Sequence, residues 1–179
     1  MYQGFILAAC LLWFAPPVAA ADCTATRPST MDIMDEGLLT PSVPIERRRR
    51  LSDRLLCSAL AGNAESQELA GTLYYQGQSR KGNVLTRDMS RARHMLTAAA
   101  NRGRRHAMHR LAELELSDGH LYEAALWTRV EYVMHGLPLP PLAQLNRTIE
   151  ARVSRDSRLE ADVLLKVAAI HEAMEAPTP

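Results

Sequence analysis

Histidines and arginines are the residues of this chain whose types and spacing have the most chemistry in them. His94, His106, His109, His120, His135 and His171 are candidates for metal ligation or proton transfer. His106 and His109 have the i, i+3 spacing that places two side chains on one helix face. Two histidines do not make a metal centre, because structural zinc takes four protein ligands and catalytic zinc three. No cysteine pair or H-E-x-x-H accompanies them, so surface or packing histidines are the plainer reading. Glu113 and Glu115 point to different faces of a helix, and a carboxylate pair would need a partner from elsewhere in the fold. There is no Gly-rich phosphate loop and no nucleophile elbow. The expectation is a protein without cofactor or metal, and not an enzyme.

Seven arginines lie between Arg87 and Arg110, with Asp88 the one acidic residue among them. Arg102, Arg104 and Arg105 cluster where one helix should turn into the next. Such a cluster suits an acidic protein, an anionic glycan or a lipid headgroup. The alternative is a solvated face whose Arg stems cover apolar neighbours. Arg47–Arg50 poses the same choice, with Glu46 and Asp53 nearby. A net charge of +1 does not call for nucleic acid. Among the aromatics, Tyr74 and Trp127 read as core, and Tyr75 or Tyr132 as exposed groove residues. Asn146-Arg147-Thr148 is a glycosylation acceptor only in a eukaryotic secretory pathway.

The N-terminus reads as an export signal. Residues 1–21 carry no charge, Phe5–Phe14 is an apolar run, Pro16-Pro17 end it, and Val18–Ala21 are small. Cleavage is expected after Ala20 or Ala21, which places the mature chain in the periplasm or outside the cell. The run is short for a membrane span, which takes about 20 residues; an uncleaved anchor is the alternative. Leu7-Ala8-Ala9-Cys10 imitates a lipid-attachment motif but sits too early. Processing leaves Cys23 and Cys57, and an oxidising compartment favours a disulfide between them over two free thiols.

The elements that must position these residues are helical. Residues 22–44 are rich in Thr, Pro, Asp and Ser and read as an irregular arm. A helical domain follows over 45–175. Its helices are expected at 45–61, 64–76, from Thr86 or Asp88 to 100, and at 104–116, 121–135, 139–153 and 159–174. Residues 176–179 form a tail. The fold class is all-α with short connections, hence antiparallel neighbours.

One internal pattern stands out. Ala64, Ala70-Gly71, Tyr74, Gly77, Val84, Asp88, Ala92, Met95, Ala99-Ala100 and Gly103 place small residues where two helices would touch and glycines where the chain would turn. A weaker copy follows: Ala107, Leu111-Ala112, Asp118, Ala124, Trp127 and Gly136. This pattern resembles the Sel-one-like repeat family, a branch of the α-solenoids related to tetratricopeptide repeats. Ala70 stands where the family has Leu, Met95 where it has an aromatic, and Glu131-Tyr132 where it has Ala-Ala. The resemblance covers roughly 64–136, with repeats at 64–103 and 104–136 and the remaining helices as caps. It implies a short α-solenoid that serves as an adaptor or scaffold for another protein, with Tyr75, Arg102, Arg104, Arg105 and His109 as contact residues. Two other readings stand beside it: an immunity-type protein that neutralises a secreted toxic effector, and an envelope enzyme. The enzyme reading demands a buried cluster of His and acidic side chains with shifted pKa values.

Overall fold

A computed structural model describes residues 29–136, 140–153 and 157–176. The helices are α1 (Thr30–Asp35), α2 (Ile45–Leu60), α3 (Ala64–Gln76), α4 (Met89–Ala100), α5 (Arg105–Ser117), α6 (Leu121–His135), α7 (Pro140–Glu150) and α8 (Ser157–Glu175), with a 3-10 turn at Gly77–Ser79. Among the described residues there is no strand. The expected leader, residues 1–21, and Cys23 lie outside the described residues.

Local chemistry sets several of the boundaries. The Asn63 side chain accepts from the Ser66 N–H at 2.8 Å and starts α3. Asp88 does the same for α4 through the Arg91 N–H at 2.9 Å. Gly77 ends α3 with φ +54°, and a Cβ there would sit 2.6 Å from Cβ of Arg87. The loop that follows is pinned by Asn83, which is buried. Its Nδ2 donates to the carbonyls of Leu73 and Gly77, both at 2.8 Å, and its Oδ1 accepts from the Leu85 N–H at 3.0 Å. One side chain thus ties the end of α3 to the loop, adding a second bond to carbonyls that already accept from the Gly77 and Arg80 N–H groups.

The stretch 22–44, expected to be irregular, contains α1. Ser29 and Asp32 form a reciprocal capping box, each side chain bonding the other's backbone N–H. Ile33 and Leu38 are fully buried in a cluster with Leu51, Leu55, Ala70 and Leu73. A buried chain of hydroxyls, Thr30–Ser66–Ser58 at 2.8 and 2.9 Å, ties α1, α2 and α3 together. The polar composition that suggested a loop belongs to this cap and this hydroxyl chain.

Consecutive helices pack on each other from α1 to α7, most extensively α3 on α4 and α5 on α6, and α8 packs on α6. Contact between α3 and α4 depends on small residues. Gly71 is buried, and a Cβ added to it would lie 2.7 Å from Cγ and 3.0 Å from the backbone N of Leu96. The second pair, α5 and α6, buries Ala107, Leu111, Ala112, Ala124 and Trp127 with Leu159, Val163, Val167 and Ile170 of α8. The helices α3 and α5 also touch directly, and their shared face is where the polar chemistry converges.

Candidate functional site

Along α3, Glu65, Glu68 and Thr72 follow one another at helical spacing, and along α5 so do His106 and Arg110. Together with Met31 and Met34 of α1, Leu69, Arg80 and Arg104, they line a groove of about 430 Å³. Its floor is apolar and its rim is charged. Arg104 Nε donates to Glu68 Oε2 at 2.5 Å, and His106 Nδ1 lies 3.4 Å from Glu68 Oε1. Arg110, itself part of the groove lining, lies over the ring of Tyr75, 6.0 Å from its centroid, and bonds Glu113 at 2.5 Å.

Behind this surface lies a buried ionic cluster. His109 is 5 % exposed and Glu131, on α6, is 1 % exposed. Nε2 of His109 is 3.5 Å from Glu113 Oε1, one turn along α5, and Nδ1 is 3.7 Å from Glu131 Oε2. Arg105 closes the other side of Glu131, with Nε donating to Oε1 at 3.1 Å. Burial opposes protonation of His109, but the carboxylates on either side outweigh it and hold the imidazole above its ordinary pKa. Burial likewise opposes ionisation of Glu113 and Glu131. His109, with Arg110 at Glu113 and Arg105 at Glu131, outweighs that and holds both carboxyls below their ordinary range. The cluster is therefore an imidazole between two carboxylates, each backed by an arginine, an arrangement that favours the protonated ring. Its two central members, His109 and Glu131, are buried, while Glu113 and Arg105 keep part of their side chains exposed.

The expected contact residues diverge. Tyr75 is half-buried beneath Arg110, and Arg104 lines the groove. Arg105 and His109 belong to the buried cluster, and Arg102 donates through Nη1 to the Ala173 carbonyl at 3.1 Å, holding α8. The arginines that look unopposed in sequence meet acidic residues from neighbouring helices: Arg93 pairs with Glu115 at 2.8 Å and with Asp118. In the leading run, Arg48 donates to the Val43 and Gly82 carbonyls at 3.0 and 2.6 Å. Cys57 is half-buried on α2. The five other histidines are exposed. Glu131 is the residue that sequence spacing misses. Its signal is a departure: a carboxylate stands where the repeat pattern asks for alanine.

A larger cleft of about 820 Å³ lies between α6, α7 and α8. Its Arg129 is already bracketed by Glu150 at 3.0 and 3.1 Å and by Glu160 at 2.7 Å, so its central charge is spoken for. The groove on α3 and α5 offers the more varied recognition chemistry. Among the described residues no group of three or more His, Cys, Asp or Glu is arranged to hold a metal ion. No helix among them is long and apolar enough to cross a membrane.

Comparison with protein-family models, with curated proteins and with solved structures finds no match for this chain.

Proposed function

We propose that this chain is an exported interaction protein of Sel-one-like repeat architecture that binds a segment of another protein in the groove between α1, α3 and α5. The observation that carries the reading is the make-up of that groove. Met31, 62 % exposed, Met34 and Leu69 offer adaptable apolar surface, and Arg104, Arg110, Glu65 and Glu68 surround it with charges of both signs. That combination suits a peptide with apolar anchors and flanking charges. The buried cluster of Arg105, His109, Glu113 and Glu131 sets the spacing of α5 and α6 behind the groove.

Export is inferred from the leader pattern, with the mature chain in the periplasm or secreted. We pair Cys23 with Cys57. In support, Cys57 is disulfide-bonded, and its partner lies outside the described residues.

Capture from envelope extract tests the reading, with the mature chain as bait beside Met31→Glu and Arg104→Ala variants. The expected result is one dominant partner that both variants lose. A partner retained by both would move the binding surface elsewhere. If that partner is a secreted toxin whose activity the chain suppresses, the adaptor reading gives way to the immunity reading.

The enzyme reading is favoured by one observation, the imidazole between two carboxylates. Against it as the primary reading stands the burial of His109 and Glu131 at the centre of that cluster. Hydrolytic or proton-transfer activity abolished by His109→Gln in a folded variant would reverse this order.

A further inference from the structure

We propose that the outer face of α8 is a contact between two copies of this chain, packed antiparallel about a two-fold axis at Leu165. The inner face of α8 is accounted for: Leu159, Val163, Val167 and Ile170 are buried in the core. The opposite face is apolar and uncovered among the described residues. Leu164 is 65 % and Leu165 69 % exposed, and Ala161, Ala168 and Ala169 beside them are exposed too. Scattered exposed leucines are ordinary, but a continuous stripe along one helix is not.

The spacing of the stripe specifies a helix partner. Arg158, Ala161, Leu165, Ala168 and Glu172 follow each other at alternating intervals of three and four residues. That is the period of a seam along which two helices interlock. Alanines beside the leucine let the backbones approach closely.

Charge then selects the partner and its direction. Arg158 lies seven residues before Leu165 and Glu172 seven after it; Ala161 and Ala169 lie four on either side. Reversed about Leu165, the face largely complements itself. In an antiparallel pair each Arg158 meets the other copy's Glu172, Ala161 meets Ala169, the two Leu165 side chains meet on the axis, and Ala168 falls opposite Asp162 at the edge of the face. A parallel pair would set Arg158 on Arg158 and Glu172 on Glu172. Arg158 is 80 % exposed, in contact with the Tyr122 ring at 5.8 Å and 3.9 Å from Asp162. Glu172 has no ion pair among the described residues.

Sedimentation velocity on the full chain, purified as it leaves the cell, tests this over a concentration series. The expected result is a reversible monomer–dimer equilibrium. Leu165→Glu should weaken it at least about thirtyfold, with an unchanged far-UV spectrum and, at concentrations where the wild type is monomeric, an unchanged melting temperature because the side chain is exposed. Ala168→Glu serves as a second interface variant should the first not fold. Arg158→Glu alone should weaken dimerisation, and Arg158→Glu with Glu172→Arg should restore it. A wild-type chain that stays monomeric overturns the proposal, as does a dimer that tolerates both interface variants. A dimer lost in Leu165→Glu but not restored by the charge swap overturns the antiparallel arrangement. Binding of α8 to vesicles or to a different protein, without self-association, overturns the choice of a second copy.

Discussion

Oε2 of Glu131 lies 3.7 Å from Nδ1 of His109, both atoms are buried, and neither has a hydrogen-bond partner among the described residues. The distance is too long for a hydrogen bond, so what joins the two is charge. They sit on different helices of the second pair, and the attraction between them depends on pH.

Stability should therefore peak in mildly acidic solution. A histidine whose folded pKa is raised contributes stability that is fully present below about pH 6.5, its ordinary value, and is lost as pH rises through the folded pKa. Glu113 and Glu131, held low, contribute stability present above about pH 4.3 and lost as pH falls through their folded values. Urea unfolding measured across this range should show a maximum between the two limits. In His109→Gln the loss on the alkaline side should flatten. An unchanged alkaline limb would mean that the histidine is not charged in the fold.

Glu131→Gln should cost about 3 kcal/mol, because it removes the charge of the buried carboxylate that faces both Arg105 and His109. Chemical denaturation at pH 6 measures it. A loss well under about 1 kcal/mol would show that water, not Glu131, balances these cations.

Gly71→Ala should destabilise the chain by about 1–3 kcal/mol, although alanine is the better helix former by about 1 kcal/mol. The added methyl meets the Leu96 backbone N at 3.0 Å as well as its side chain, so rotation of one side chain cannot relieve it. A neutral or stabilising substitution would mean that α3 and α4 can separate freely.

Asn83→Ala removes two donated hydrogen bonds and one accepted one made by a buried side chain. A cost of about 2–3 kcal/mol is expected, with amide exchange accelerating first in 78–88 and at the end of α3. Uniform acceleration across all helices would contradict a local role.

If the leader is cleaved and Cys23 pairs with Cys57 as proposed, Cys23→Ser should free one thiol, titratable in denaturant, where the wild type shows none. The chain-entropy cost of losing such a loop is about 3–4 kcal/mol. Two free thiols in the wild type would remove the pairing.

Most helices are legible because their signals are local. Asp88 is a good cap, and Gly77 and Gly103 are good stops, wherever they occur. The alternation of small and large residues along 64–103 also survives into packing, with Ala70, Ala92, Ala99 and Ala100 all buried. What composition hides is α1, because Ser, Thr and Asp mark caps as readily as loops. What linear spacing hides is the balance of charge. Arg93, Arg104 and Arg105 look unopposed until Glu115, Glu68 and Glu131 arrive from 22, 36 and 26 residues away. His109 was among the expected contact residues, yet its burial follows from a carboxylate on α6, which no periodicity within α5 announces.

Site-specific photo-crosslinking in cells of the source organism tests the central claim most directly. A photoreactive residue would replace Met31 in the groove, and Ile45, exposed but outside the groove, as control. The account predicts one crosslinked protein at Met31, absent at Ile45 and abolished by Arg104→Ala. No crosslink at Met31, or the same products at both positions, would contradict it.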